Sequence, residues 1–347
     1  MMKRTLFFLS ILLLLFAVAF MRFRYHQSAM LVIDGFTQGT TYHIMIRQPI
    51  RTVLSGRPAV NKNEVDSLLH RFDLSLSNYV PESVISRINK NDTIVRTDKF
   101  FNVCFNASRR IYEETNGAFD ITVGPLVDAW GFGPEGPVPV DSAVIDSLLQ
   151  YVGMDKVTLK ENRIIKKDPH ILLDVNAIAQ GYSVDVMSEF IEQKGAKNFL
   201  VEIGGELKAR GHKWWGRPWK IGIDKPVDNN NIPGRNLQIK LKLVNRALAT
   251  SGNYRKFFEK NGVKYGHEID PHTGYPARNR LLSVTVLTGS CMMADGYATA
   301  FMVMGLEKSK QFVLNRKDLD AYFVYSGDDG SFLTWASEGF KKLIIEE

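Results

Sequence analysis

The segment CMMADGYATAFMVMG, residues 291–305, constrains the fold more than any other part of the chain. Small and apolar residues lie on every side of the helix that it predicts, and a helix of that kind belongs in a protein core. The segment nevertheless contains a carboxylate, Asp295, and a hydroxyl, Thr299, four residues apart and therefore on one face of the helix. A carboxylate in the core must then be paired or bind a metal ion.

Two interpretations account for Asp295. A buried carboxylate lowers stability unless it is paired or binds a metal, and magnesium takes carboxylates together with hydroxyls, carbonyls, waters or phosphates as ligands. Asp295 and Thr299 could present such a pair of oxygen ligands. The alternative is that Asp295 caps backbone N–H groups near the start of the helix or faces the helix dipole.

The rest of the chain mixes strand and helix patterns without regular alternation. KVTLKENRIIKKD predicts a hairpin with its turn near Glu161 and Asn162, and LQIKLKLV alternates as a half-buried antiparallel strand does. Residues 34–47 predict one strand. ILLDV, residues 171–175, predicts another, followed by a helix. This mixture predicts an α+β fold with mixed sheets, preceded by one N-terminal apolar helix.

The N-terminus has the pattern of a targeting segment. Lys3 and Arg4 precede an uncharged apolar run, TLFFLSILLLLFAVAFM at residues 5–21, which fits a signal sequence and is also long enough for a short membrane span. Residues 17–19, Ala-Val-Ala, resemble a cleavage site, but basic residues follow the run. A cleaved signal and an uncleaved anchor are therefore both open, and either predicts a protein exported across, or held at, a membrane.

These features set the predicted domain organisation. Residues 1–28 are expected to form the signal sequence or membrane anchor with its tether, the tether extending over about residues 22–30. Residues 29–347 contain no linker long enough to require a further division. We therefore expect a single folded domain after the N-terminal segment.

Composition narrows the classes of partner. The net charge is +7, yet no basic run of the kind that follows nucleic acid is present, so no nucleic-acid partner is expected. The two cysteines, Cys104 and Cys291, lie in segments that predict buried helices. We expect two free buried thiols and no disulfide framework.

Several shorter segments could carry chemistry. Asp174 lies at a predicted strand-to-helix junction, where anions or ribose hydroxyls bind in many α/β sites, and Gly181 would allow close backbone approach. The alternative for Asp174 is a helix cap. His267 and Asp270 flank a short predicted strand before an Asp-Pro-His-Thr-Gly turn, and His267 could act as a general base or be structural. Thr-Ser-Gly at 250–252 could offer hydroxyl and N–H groups to a phosphate.

The ordered set of segments is more specific than any one of them. It comprises GTTY, LSNYVPESVISRIN, GAFDITVGPLVDAWGFGP, LDVNAIAQGYSVD, VEIGGELKARG, ATSGNYR, HEIDPHTGYP and ADGYATA. In this order the set resembles the ApbE family of FAD:protein FMN transferases, from residue 34 to about residue 340. The resemblance implies a mixed, largely antiparallel β-sheet core with surrounding helices.

The resemblance also implies an activity. Members of the family are magnesium-dependent enzymes of the bacterial cell envelope, which split FAD at the pyrophosphate, transfer FMN to a threonine or serine hydroxyl of a partner protein, and release AMP. Typical acceptors are flavin-bearing subunits of membrane electron-transport complexes. The location implied here is the inner membrane, facing the periplasm or the cell exterior, with the N-terminal segment in or across the membrane.

Functional residues follow by position from the resemblance. Asp295 and Thr299 match metal ligands, and Ala177 matches a residue that gives a backbone oxygen to the same metal. His267 matches the histidine suspected of assisting deprotonation of the acceptor hydroxyl, so His267 and Asp295 are the predicted catalytic residues. The predicted flavin-nucleotide contacts are Gln38, Tyr79, Ala118, Phe119, Asp120, Asp174, Gln180 and Ile269. The rings of Tyr79 and Phe119 could stack on flavin or adenine, or pack in the core.

Four positions depart from the family pattern. Gln38 stands where methionine usually precedes GTTY, and Gln180 stands where lysine or glutamate is common. Residues 175–177 replace a turn richer in glycine or serine, and His272 replaces an arginine or lysine. Two other activities therefore remain open, a magnesium-dependent FAD pyrophosphatase that gives FMN and AMP, and an envelope flavin-binding protein without catalysis.

Overall fold

The computed structural model of the chain describes residues 2–26, 28–50, 52, 56, 58–133, 140–226, 236–252, 257–260, 263–266 and 268–346. The predicted loops over 131–140 and 228–236 lie largely outside these ranges, and His267 lies outside them altogether.

Among the described residues, the α-helices lie within residues 2–193 and 291–341. They are α1 Met2–His26, α2 Lys62–Leu76, α3 Val84–Asn89, α4 Lys99–Glu114, α5 Gly124–Ala129, α6 Ser142–Leu149, α7 Asn176–Gln193, α8 Cys291–Met304, α9 Leu306–Leu314 and α10 Glu338–Lys341, with short 3-10 turns at Met154–Lys156 and Trp214–Gly216.

Several strands that follow one another in sequence form hairpins. They are β1 Ser28–Thr37, β2 Thr40–Pro49, β3 Val157–Lys160, β4 Arg163–Lys166, β5 Phe199–Ile203, β6 Glu206–Arg210, β7 Trp219–Asp224, β8 Leu237–Leu243, β9 Arg246–Gly252, β10 Phe257–Lys260, β11 Val263–Gly266, β12 Leu281–Thr288, β13 Asp320–Ser326 and β14 Phe332–Ala336.

One large sheet organises the domain. It has eight strands in the order β1-β2-β5-β6-β9-β12-β13-β14, and every neighbouring pair is antiparallel. The pairs β3-β4, β7-β8 and β10-β11 form separate two-stranded sheets. Among the described residues the one parallel pairing is an isolated bridge between Val123 and Leu172. The predicted α+β class with a largely antiparallel core is confirmed.

The sheet separates two hydrophobic layers. In β5, Phe199, Val201 and Ile203 pack with α2 and α7, whereas Leu200 packs with Trp219 of β7 on the opposite face. This follows from the strand period of two, which directs successive side chains to opposite faces. The helices α2, α7 and α8 therefore cover one face, and the β7-β8 hairpin covers the other.

Several local predictions are confirmed. Glu161 and Asn162 form the β3-β4 turn with φ of 50° and 57°, as a type I′ hairpin requires. Asn61 and Glu64 form a capping box at the start of α2. Both cysteines are buried and free.

Three predictions of local structure were wrong. Residues 34–47 form a hairpin rather than one strand, because Gln38 and Gly39 turn the chain with φ of 51° and 72°. ILLDV pairs only through Leu172, since the Asp174 N–H donates instead to the Ile121 carbonyl at 2.7 Å. The predicted tether is shorter than expected, since β1 begins at Ser28 and pairs with the end of β2.

In the described part of the chain, no helix combines the length and apolar character that crossing a bilayer requires.

A buried carboxylate fixes the start of α8. Asp185 of α7 accepts a hydrogen bond from Lys208 Nζ of β6 at 2.7 Å, and its other oxygen accepts from Ser290 Oγ at 2.6 Å and Met292 N at 3.0 Å. Ser290 is itself the N-cap of α8. Asp185 therefore joins α7, the sheet and the positive end of the α8 dipole.

This network predicts a large stability effect for Asp185→Asn. The change keeps the shape of the side chain but removes the charge that Lys208 and the α8 N-terminus share, so we expect the free energy of unfolding to fall by roughly 2–4 kcal/mol. Urea unfolding at neutral pH measures it. The matched control is Asp34→Asn, whose carboxylate is 65% exposed beside His43 and should change stability by less than about 0.5 kcal/mol. Equal effects of the two variants would contradict the assignment.

Candidate active site

The centre of the site is a close contact between α7 and α8. The Gly181 N–H of α7 donates to Asp295 Oδ2 of α8 at 2.9 Å. A Cβ atom at Gly181 would lie 2.4 Å from the Cys291 carbonyl oxygen and 2.7 Å from Asp295 Cβ, so only glycine fits here. The close backbone approach predicted for Gly181 is thus present, and it serves packing against a second helix.

The three predicted metal ligands lie around this contact. In a regular α-helix the Gly181 N–H faces the Ala177 carbonyl, so the bond to Asp295 brings that carboxylate to the Ala177 turn of α7. Thr299 lies one turn beyond Asp295 on α8, and its hydroxyl oxygen is 3.3 Å from Ser251 Oγ of β9. Thr-Ser-Gly at 250–252 forms the end of β9.

The donor chemistry suits a hard cation. Within the described ranges, no group of three or more histidine, cysteine, aspartate or glutamate side chains is placed to hold a metal. A carboxylate, a hydroxyl and a carbonyl are the oxygen donors that magnesium takes, with substrate phosphates and water completing its shell. Asp295, Thr299 and Ala177 therefore fit magnesium.

Burial makes the charged form of Asp295 unfavourable unless a cation lies close to it. Burial raises the pKa of Asp295 to about 7, although the Gly181 N–H partly offsets that rise. Ser290 caps α8, and Asp295 lies beyond that cap, so the helix-capping alternative for Asp295 was wrong. Its hydrogen-bond donor is the Gly181 N–H of α7, and a bound cation would balance its charge.

Gln180 and Gln38 occupy fixed positions beside this contact. Gln180 Nε2 donates to the Ile203 carbonyl at 3.1 Å and to the Glu206 carboxylate. Gln38 Nε2 donates to Asp73 Oδ1 at 3.2 Å. The side-chain Oε1 of Gln38 accepts from Ser183 Oγ of α7 at 3.3 Å, which joins the β1-β2 turn to α7.

Tyr79 and Asp174 form the adjoining part of the site. The Tyr79 side chain is 61% exposed, so core packing is the wrong alternative for it. Its pKa is raised by partial burial and by the nearby charges of Asp174 and Asp128. Asp174 Oδ1 accepts from the Asn176 N–H at 2.8 Å at the start of α7, although Val175 occupies the N-cap position.

The turn at residues 118–120 is mostly buried. Phe119 is 3% exposed within the main core, which favours packing over stacking for its ring. The Asp120 carboxylate accepts from Thr122 N at 2.7 Å, Thr122 Oγ1 at 2.6 Å and Met154 N at 3.2 Å. Ala118 is buried as well. The hydrogen bonds of Asp120 stabilise the turn itself. Contact of this turn with a nucleotide stays a prediction.

The Asp-Pro-His-Thr-Gly segment forms the predicted turn, since the Gly274 N–H donates to the Asp270 carbonyl at 2.8 Å. His272 Nε2 lies 2.9 Å from the Asn116 carbonyl oxygen, which joins this turn to residues 116–120. Ile269 is buried and bridges to Pro276. Two segments separated by more than a hundred residues in sequence are thus in direct contact.

Two residues of the site were missed by the sequence interpretation. Glu206 accepts from Gln180, and Asp185 anchors α8. The signal for Glu206 was the Gly204-Gly205 pair before it, because consecutive glycines with positive φ (62° and 105°) mark a turn that presents the next side chain. Asp185 had no distinguishing local signal.

Comparison with known proteins agrees with the resemblance of the motifs. The model of the ApbE family matches residues 38–323. The chain belongs to the ApbE family. A Haemophilus influenzae relative named FAD:protein FMN transferase is 36% identical over 329 residues, covering 91% of this chain and 92% of the relative.

Solved structures of ApbE proteins share the fold. The flavin transferase ApbE from Vibrio cholerae has a TM-score of 0.78 at 34% identity, over 91% of this chain and 99% of that one. Apo ApbE from Pseudomonas stutzeri, described as a flavinyl transferase, has a TM-score of 0.78 at 32% identity, over 91% of this chain and 97% of that one. The fold and family predicted from the ordered motifs are both confirmed.

The α7–α8 contact predicts that Gly181→Ala is destabilising. The added methyl group must displace the Cys291 backbone or Asp295, so we expect a loss of roughly 1–3 kcal/mol in the free energy of unfolding despite the better helix propensity of alanine. Gly289→Ala is the control, because no atom lies within 4 Å of its added Cβ. Urea unfolding of both variants checks the prediction, and similar midpoints for the two would refute it.

The raised pKa of Asp295 predicts a pH dependence in the absence of divalent cations. Between about pH 4 and about pH 7 the folded chain holds a proton that the unfolded chain has released, so stability falls as the pH rises through this window. The side chain at this position cannot ionise in this window in the Asp295→Asn variant. The loss of stability of the variant across the window should therefore be smaller than that of the unchanged chain, by roughly 2–4 kcal/mol. Urea unfolding with EDTA across this range measures the difference. Parallel pH profiles for the two proteins would contradict the burial of this charge.

Proposed function

We propose that the protein is a magnesium-dependent FAD:protein FMN transferase, which moves FMN from FAD to a threonine or serine hydroxyl of an acceptor protein and releases AMP. The observation that carries the proposal is the junction of Asp295, Thr299 and the Ala177 turn at the α7–α8 contact of an ApbE family chain. The name of the Haemophilus relative supports the choice of FAD and FMN.

The reaction exchanges the phosphoanhydride bond of FAD for a phosphoester bond to the acceptor. The acceptor hydroxyl oxygen bonds to the phosphorus of the FMN half, the bond from that phosphorus to the bridging oxygen breaks, and AMP leaves with the bridging oxygen. The hydroxyl proton passes to a base, for which His267 is the candidate by position. Bound magnesium would neutralise charge on the phosphoryl oxygens.

The described residues supply binding and orientation. Asp295, Thr299 and the Ala177 carbonyl would hold the cation, and the buried position of Asp295 limits competition from water. Tyr79 offers an exposed ring on which flavin or adenine could stack. The charge of Asp174 contributes to the raised pKa of Tyr79, and Asp174 is a second candidate contact for the nucleotide.

We further propose a location and an acceptor class. Apolar side chains of α1 are largely exposed, among them Phe8 at 67%, Leu12 at 68% and Phe16 at 71%, and a bilayer or a targeting receptor would cover them. This supports residues 1–28 as a signal or anchor and residues 29–347 as the catalytic domain at the outer face of the inner membrane. A flavin-bearing subunit of a membrane electron-transport complex is the acceptor proposed.

The direct test is flavin transfer to a candidate acceptor. The full chain is mixed with FAD, magnesium and the acceptor, and the denatured acceptor band is examined for flavin fluorescence. We expect a fluorescent band that chelator abolishes. Asp295→Asn should lower the rate by about 100-fold or more while the protein stays folded, because it removes a charge that the reaction depends on. Asp34→Asn, an exposed site on β1, should retain activity.

The products distinguish the other activities. AMP and free FMN with a dark acceptor band would favour the pyrophosphatase. Bound FAD that stays intact for hours with magnesium would favour a binding protein. Full activity of Asp295→Asn would refute the metal role proposed for this carboxylate.

A further inference from the structure

A second carboxylate lies at the α7–α8 contact. Consecutive residues of α7 hold the two acidic groups: the side-chain amide of Gln180 donates to Glu206, and the backbone N–H of Gly181 donates to Asp295. Glu206 is the first residue of β6, so the sheet and α8 each deliver one carboxylate to the same turn of α7. Neither the family resemblance nor the named relatives assign a role to Glu206.

The chain before Glu206 is shaped for this arrangement. Gly204 has a φ of +62°, and a Cβ atom there would lie 1.9 Å from Gln180 Nε2. A side chain at Gly204 would therefore displace the amide that holds Glu206. The glycine pair both turns the β5-β6 hairpin and leaves space for Gln180, which places the Glu206 carboxylate beside the helix contact rather than in solvent.

The two carboxylates lack a balancing cation within the protein. Among the described residues, neither Glu206 nor Asp295 belongs to an ion pair, in contrast to Asp185, which pairs with Lys208. Burial and the Asp295 charge raise the pKa of Glu206 well above its ordinary value. Like charges held together in a partly buried place are unfavourable by themselves, and a divalent cation relieves that repulsion.

We propose that Glu206 is a second carboxylate of the cation site, positioned by Gln180 beside Asp295 so that both negative charges attract the metal. The inference rests on the proposed function, since it concerns the cation of that reaction. The neutral amide of Gln180 orients Glu206 without adding a charge to the site.

Cation affinity of the full chain tests the inference without any acceptor or FAD. Magnesium titration by calorimetry should show binding to Glu206→Gln that is roughly 10–100-fold weaker than to the unchanged chain. The matched control is Glu202→Gln on the same hairpin, which removes an equal charge from a carboxylate that accepts from the Gly205 N–H at 2.7 Å. We expect the control to bind magnesium within about twofold of the unchanged chain.

Thermal unfolding separates a cation role from a structural one. In EDTA, Glu206→Gln should unfold at the same temperature as the unchanged chain or higher, because charge repulsion is removed. With magnesium, the rise in its unfolding temperature should be smaller than that of the unchanged chain. A merely structural Glu206 would instead lower the unfolding temperature equally with and without magnesium, and that result would overturn the inference.

The outcomes distinguish this inference from the proposed function. Magnesium binding of equal strength by the unchanged chain and Glu206→Gln would overturn only the role of Glu206. An unchanged chain that binds no magnesium would overturn both the cation site and the role of Glu206. Weakened binding in Glu202→Gln as large as in Glu206→Gln would show a general charge effect and would also overturn the specific position proposed for Glu206.

Discussion

The hydrogen bond from the Gly181 N–H to the Asp295 carboxylate is the interaction on which the site depends. It requires two helices to approach until no side chain fits at Gly181, and this approach brings the start of α7 beside the middle of α8. Asp185 of α7 joins the same two helices, because it accepts hydrogen bonds from Ser290 and Met292 at the start of α8. Packing and site geometry are thus set by the same contacts.

The buried carboxylates near this contact differ in whether a positive charge balances them. Asp185 has a lysine and a helix N-terminus as partners, so its burial stabilises the fold. Asp295 and Glu206 have hydrogen-bond donors but no ion pair within the described residues. Their repulsion is unfavourable in the protein alone, and it favours the arrival of a cation. The antiparallel sheet and its helical layer supply the rigidity that keeps such groups in place.

Local patterns predicted much of the fold and part of the site. The helix at 291–305, the Glu161-Asn162 turn and the shared face of Asp295 and Thr299 follow from residues close in sequence. The donor to Asp295 could not be found that way, because Gly181 lies 114 residues earlier. ILLDV is as apolar as a strand, yet Asn89 and Ile121 bind its backbone, so tertiary hydrogen bonds override the local preference.

A divalent cation bound where α7 meets α8 would balance the charge of the carboxylates at this contact. Anomalous diffraction from crystals of the full chain soaked in manganese, an ion that shares magnesium's preference for oxygen ligands, tests this most directly. We expect an anomalous peak bounded by the Asp295 carboxylate, the Thr299 hydroxyl and the Ala177 carbonyl. A peak only at other carboxylates, or none at saturating manganese, would contradict it.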